Sequence, residues 1–188
     1  MLHLHATVKR TSNAGFTKSI ACILLTVFLA FFFGQAHSLA QVPPVTYPKV
    51  AGYVGIIHPL VTFSKEGTTT NFNDHYVVGM PTGINIWKSA RVGFTFEAVP
   101  FIRVENRTSR MSNFLFHPGI LVALGNGFTF AGRAAFETSG RYGFTPVLSR
   151  AIIRNKNSSY FAALPVPVRF GNKHPTAITV GLQLGIAF

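Results

Sequence analysis

The chain has 188 residues, the length of one ordinary domain. Only 12% are charged, about half the share of roughly 25% found in soluble domains, while 48% are apolar and 19 are Phe. That composition excludes a disordered or heavily solvated protein, and the single cysteine, Cys22, excludes a disulfide framework or a Cys-based zinc cluster. The net charge of +12 comes from a shortage of acids: only Glu66, Asp74, Glu97, Glu105 and Glu137 are present.

Lys9, Arg10 and Lys18 give the start a basic character. Ile20 to Phe33 is then an apolar run broken by one Thr, shorter than the roughly 20 residues a spanning helix needs. The small residues Ala36-His37-Ser38-Leu39-Ala40 follow, with Ser38 and Ala40 where signal peptidase requires small side chains if it cuts before Gln41. Residues 1–40 therefore read as a secretory signal. Cys22 opens the apolar run instead of following it, which does not fit a lipoprotein signal. Residues 41–48, with Pro43, Pro44 and Pro48, read as an extended lead-in, and residues 49–188 as the folded part.

Beyond the lead-in, apolar residues recur with period two and not with helical spacing. Eight strands are predicted: about 49–63, 74–87, 91–104, 113–125, 127–137, 141–154, 158–170 and 176–188. The last is the clearest. Ile178, Val180, Leu182, Leu184, Ile186 and Phe188 share one face, and Ala177, Thr179, Gly181, Gln183, Gly185 and Ala187 share the other. Gly125-Asn126-Gly127 predicts a tight hairpin, because Asn and Gly tolerate positive φ. Residues 64–73 and 105–112 read as longer polar loops. The sixth strand is the least regular, since 148–158 mixes apolar and basic residues. Pro59, Pro81, Pro100, Pro118, Pro165 and Pro167 fall inside strands and predict bulges, because proline removes a ladder hydrogen bond.

The character of the second face separates two architectures. A soluble barrel turns its charged face to water; a membrane barrel turns its apolar face to lipid and its small or polar residues inward. In the last strand the second face carries no charge at all. The strand charges Glu97, Arg103, Arg133, Glu137 and Arg169 share the non-apolar parity and, with Gln183, predict a polar cluster in a narrow lumen. On a lipid face each such charge would cost about 2–4 kcal/mol at mid-depth. Tyr53, Tyr76, Trp87, Tyr142 and Tyr160 lie near strand ends, where an aromatic girdle would sit.

A signal-like start, long alternating strands and a final strand ending in Phe188 together resemble the small outer-membrane β-barrel proteins of Gram-negative bacteria. The type is the eight-stranded one of outer-membrane protein X and the transmembrane part of outer-membrane protein A. The segments His75 to Trp87 and Gly181 to Phe188 carry most of the likeness, which is one of pattern. It implies an antiparallel up-and-down transmembrane barrel in the outer membrane, both ends periplasmic, surrounded by lipid and lipopolysaccharide. It also implies that Leu182, Leu184, Ile186 and Phe188 form the terminal signal read by the barrel-assembly machinery. Lys65, Arg107, Arg110, Arg141 and Lys173 would then face outward, where they could meet lipopolysaccharide phosphates. Lys88, Arg91, Arg154 and Lys156 would lie at the inner rim.

The expected role is structural or surface-interacting, with no catalytic site and no cofactor. A small passive pore and a soluble periplasmic barrel are the alternatives, together with a lipid-modifying enzyme, which the resemblance makes conceivable. For that enzyme His117, near Glu97 or Glu137 and with Ser112 or Ser139, would supply the groups, but no Gly-x-Ser-x-Gly motif is present. His58, His75, His117 and His174 are too dispersed in sequence to suggest a metal site. Nucleic acid is not expected as a partner of an exported chain without an interleaved basic patch.

Overall fold

Alternation of apolar with small or polar residues can bury only one face of a strand, and the chain resolves this by closing its sheet into a ring. The computed structural model describes residues 46–73, 75–171 and 174–188. The predicted signal segment lies outside them, as does all of the lead-in before Thr46, and Lys173. The elements are β1 (Lys49–Ser64), β2 (Gly67–Thr70), β3 (Tyr76–Gly79), β4 (Thr82–Trp87), β5 (Val92–Glu105) and β6 (Thr108–Gly125). They continue with β7 (Phe128–Glu137), β8 (Tyr142–Arg154), β9 (Ser159–Pro165), β10 (Val168–Phe170) and β11 (Ala177–Ala187).

All pairings are antiparallel, and β11 returns to β1 from Tyr53↔Ala187 to Ser64↔Ala177. β3 and β4 both bridge β1 and β5, so they act as one strand broken at Met80-Pro81. β9 and β10 bridge β8 and β11 in the same way, broken at Val166-Pro167. The result is an up-and-down ring of eight strands, at the positions the alternation predicts. One end of the ring holds the start of β1 and the finish of β11, and is called the terminal end below. The opposite end is the distal end.

The loops differ from expectation in two places. Residues 105–112 form no long loop: Asn106 and Arg107, at φ 50° and 60°, make a two-residue turn and β6 starts at Thr108. Two successive left-handed residues match the twist of a hairpin, which lets the paired strands run on past their apolar part. Residues 64–73 contain β2, which folds back on β1 from Val61↔Thr70 to Ser64↔Gly67. Thr68, Thr69 and Thr70 are β-branched and suit that extension.

The prolines act unevenly. The register shifts between Pro59 and Val61, and between Phe101 and Ile102 just after Pro100. Around Pro118 it does not shift, since Phe116↔Phe136 and Gly119↔Arg133 keep one register. The irregular sequence of the sixth predicted strand has a structural counterpart, a shift in β8 between Ala151 and Ile153.

Side-chain direction follows residue parity. Phe94, Phe96, Phe116, Ile120, Phe136, Phe144 and Leu184 point outward, each close to half exposed. Inside, the ring is layered. Leu121, Ala131, Val147 and Ala163 pack with Trp87 and Phe161 toward the terminal end, and Val99, Leu115 and Ala135 pack with Ile57 and Phe101 toward the distal end. Between these apolar layers lies a polar one.

Candidate functional site

The polar layer centres on Glu97 of β5. Its Oε1 accepts hydrogen bonds from Arg133 Nη1 at 3.0 Å and His117 Nδ1 at 3.1 Å, and its Oε2 accepts from the Tyr53 hydroxyl at 2.8 Å. Arg133 Nη2 also donates to Tyr53 Oη at 3.0 Å. The other side of His117 meets the Thr145 hydroxyl, Nε2 to Oγ1 at 2.8 Å, and Arg169 Nη1 donates to that same Oγ1 at 2.9 Å. Arg169 Nε donates to Glu137 Oε1 at 2.6 Å, while Glu137 Oε2 accepts from Asn113 Nδ2 at 2.6 Å and from Ser139 Oγ at 3.0 Å. The chain of contacts thus runs from Tyr53 to the distal rim without a break. Two carboxylates face two guanidiniums, so a buried layer this polar stays close to neutral, the condition under which ionic groups survive burial.

The local sequence makes room for these long side chains. A Cβ added to Gly83 would fall against the Tyr53 ring, and one added to Gly119 would meet Gly132 O and the Arg133 side chain. Glycine at these two inward positions lets Tyr53 and Arg133 cross the interior.

Of the residues predicted for the lumen, the network joins Glu97, Arg133, Glu137 and Arg169. Gln183 is buried on the interior face of β11, at the wall of the terminal cavity described below. Arg103 is a correction. It lies beyond the register shift where Ser112 of β6 is skipped, and binds Glu105, Nε to Oε2 at 3.0 Å, in a part-exposed pair away from the cluster. Two expected girdle residues are also inside: Tyr53 is 3% exposed and Trp87 packs on the interior apolar layer. Tyr76 is half-buried and bonded to His58 Nε2 at 2.7 Å, whereas Tyr142 and Tyr160 are exposed on the outer face.

Sequence reasoning passed over Tyr53, Asn113 and Thr145 as network members and considered His117 only as a base. Their parity was the available signal: Tyr53 alternates with Ala51 and Gly55, and Thr145 with Gly143 and Val147, all on the inward side. Ser112 and Ser139 do not reach His117. Ser112 Oγ donates to Phe101 O and Ser139 Oγ to Glu137. The hydroxyl at His117 belongs instead to Thr145, which is 1% exposed. Among the described residues no group of three His, Cys, Asp or Glu is placed to hold a metal ion.

On either side of the polar layer the interior opens. The terminal cavity, of about 560 Å³, is lined in part by Asn85, Trp87, Arg133 and Gln183. The distal cavity, of about 240 Å³, is lined in part by Asn113, Glu137, Arg141 and Arg169. Lys65, Arg107 and Arg110 are exposed at the distal end and Arg141 is half-buried there, while Lys88, Arg91, Arg154 and Lys156 are at the terminal end. Leu182 and Leu184 lie on the outer face, and Phe188 is paired through its backbone with Gly52, N to O at 2.9 Å in both directions.

No protein-family model and no curated protein matches the chain. Among solved structures, one described as "De novo design of transmembrane beta-barrels" is similar over 76% of this chain and 97% of that one, at 10% identity and a TM-score of 0.43.

Proposed function

We propose that the protein is an integral outer-membrane β-barrel of a Gram-negative envelope, exported through its N-terminal signal, with a structural or surface-interaction role. The observation that carries this reading is the outer face. Phe94, Phe96, Phe116, Phe136, Phe144, Ile56, Ile84, Ile120 and Leu184 are all more than 40% exposed, on strands spread around the ring. Soluble monomers rarely expose a contiguous apolar patch beyond a few hundred Å². Here such side chains encircle the ring while the ionic side chains of the strand centres point inward, the arrangement that hydrocarbon surroundings favour.

In this reading the polar layer is a plug. It fills the lumen between the two cavities, so the protein serves as a membrane-embedded body and not as a conduit. The distal cations Lys65, Arg107, Arg110 and Arg141 meet lipopolysaccharide phosphates, and the outward stripe ending in Phe188 is what the assembly machinery engages. The order Glu97–His117–Thr145 places an acid, an imidazole and a hydroxyl in series and is the feature that favours a lipid-modifying enzyme. Burial of Thr145 weighs against it. Replacement of His117 by Ala leaves the lipid A profile of the host unchanged under the structural reading and alters it under the enzymatic one.

Cell fractionation tests the main proposal. The protein should remain with the outer membrane, require detergent for extraction, and migrate differently on gels before and after boiling. Release by osmotic shock as a freely soluble species would overturn it.

A further inference from the structure

β11 stops short of its neighbours at the terminal end, and the gap it leaves is lined by cations. Ala187, its last residue, pairs with Tyr53 on one side and Ser159 on the other. β1 runs on past Tyr53 to Lys49, and on the other side the turn from Arg154 to Ser159 joins β8 to β9. Between these walls, and against Ala187 and Phe188, lies an open notch of about 530 Å³. Lys49, Arg154 and Lys156 line it, all three exposed, and no Asp or Glu does. None of the three takes part in an ion pair among the described residues. The imbalance extends over the whole rim. Lys88 and Arg91 are exposed there too, in the turn between β4 and β5, while the described acids lie elsewhere: Glu97 in the polar layer, and Glu66, Glu105 and Glu137 on its distal side. Cations gathered without counter-charges set up a local potential that draws in an anion.

The notch is also apolar on its outer side. Val50 and Phe188, both more than 60% exposed on the outer face, line it together with the cations. A free anion would use only the cations. A phospholipid uses both parts: its phosphate meets Lys49, Arg154 and Lys156 through charge-assisted hydrogen bonds, and its chains run along Val50 and Phe188 onto the apolar outer face. A headgroup with net negative charge is favoured over a zwitterionic one, whose own cation would be set against three others. We infer that the terminal notch binds an anionic phospholipid by its phosphate. This inference rests on the membrane reading, and it adds a selected lipid at the end opposite the proposed lipopolysaccharide contacts.

The protein as extracted from the host membrane in non-ionic detergent is mixed with dioleoylphosphatidylglycerol or dioleoylphosphatidylcholine, and the lipid it retains is counted by native mass spectrometry. A basic side chain near an anionic lipid surface is worth about fivefold in binding, so phosphatidylglycerol should be retained about tenfold or more tightly than phosphatidylcholine. Lys49→Gln, Arg154→Gln and Lys156→Gln together should bring the two lipids to within about twofold, because the same per-cation factor is removed at all three positions. Lys49→Arg with Lys156→Arg keeps the charge and should keep the preference. The distal set Lys65→Gln, Arg107→Gln and Arg110→Gln changes the net charge equally and should leave the preference intact. Glycerol 1-phosphate carries the charge without the chains and should compete about tenfold or more weakly than phosphatidylglycerol. Equal loss in the distal and terminal sets would overturn the notch as the site, and equal competition by glycerol 1-phosphate would overturn the lipid as its occupant. Release of the protein by osmotic shock would overturn the membrane reading and this inference with it. A protein that requires detergent yet retains both lipids equally would overturn this inference alone.

Discussion

His117 and Thr145 meet through the interior at 2.8 Å although β7 separates their strands. Glu97 can only accept, so His117 Nδ1 carries the proton shared with it. Thr145 Oγ1 already accepts from Arg169, which directs the threonine O–H toward Nε2. One hydroxyl thus joins the Glu97–Arg133 half of the network to the Arg169–Glu137 half. Thr145→Val keeps the shape and removes both contacts. It should destabilise the folded protein by about 1–3 kcal/mol, whereas Thr145→Ser should lose little. Urea-induced unfolding in lipid vesicles measures the difference, and equal midpoints for Val and Ser would sink the assignment.

Glu97 neutralises Arg133 in a layer where both are nearly inaccessible, at 3% and 7% exposure. Glu97→Gln leaves the guanidinium charge buried without its partner, at a cost of about 3–5 kcal/mol. Combining it with Arg133→Met removes both charges, and the double variant should be more stable than Glu97→Gln alone. A double variant that is weaker still would mean that the pair itself, and not its neutrality, holds the layer.

Ile120 distinguishes lipid from water on the outer face. It is 52% exposed in the terminal half of β6, opposite Gly132 at the centre of β7. In water Ile120→Arg would change stability by no more than about 0.5 kcal/mol. Against hydrocarbon it should cost about 2–4 kcal/mol. The comparison of folding yield and unfolding midpoint in vesicles decides between the two environments.

Gly119 and Gly132 sit one step apart in the register of β6 and β7, at Gly119↔Arg133 and Ile120↔Gly132, and point to opposite faces of the sheet. A Cβ on Gly119 would collide with Gly132 O and lie 2.7 Å from Arg133 Cγ, whereas one on Gly132 meets only Phe130 at 3.8 Å. Gly119→Ala should therefore destabilise by about 1–3 kcal/mol, an overpacking cost, and Gly132→Ala should be close to neutral. Thermal shift of gel mobility for the two variants, run side by side, gives the order.

Period-two alternation determined, from sequence alone, that the chain is built of strands, about where each lies, and which face is apolar. Those properties are local: parity along an extended backbone sends side chains to opposite sides whatever the strand pairs with. Glu97, Arg133, Glu137 and Arg169 were legible as inward residues for that reason. What only the tertiary structure decided is which inward residues meet. Tyr53 and Arg133 are 80 positions apart and touch because closure of β11 on β1 brings β1 and β7 to opposite walls of one narrow space. Arg103 has the same parity as its predicted partners but lies past a bulge, too near the rim to join them, and pairs with Glu105. The division of the lumen into two cavities by one ionic layer likewise depends on strand register and ring closure, which no single stretch of sequence encodes.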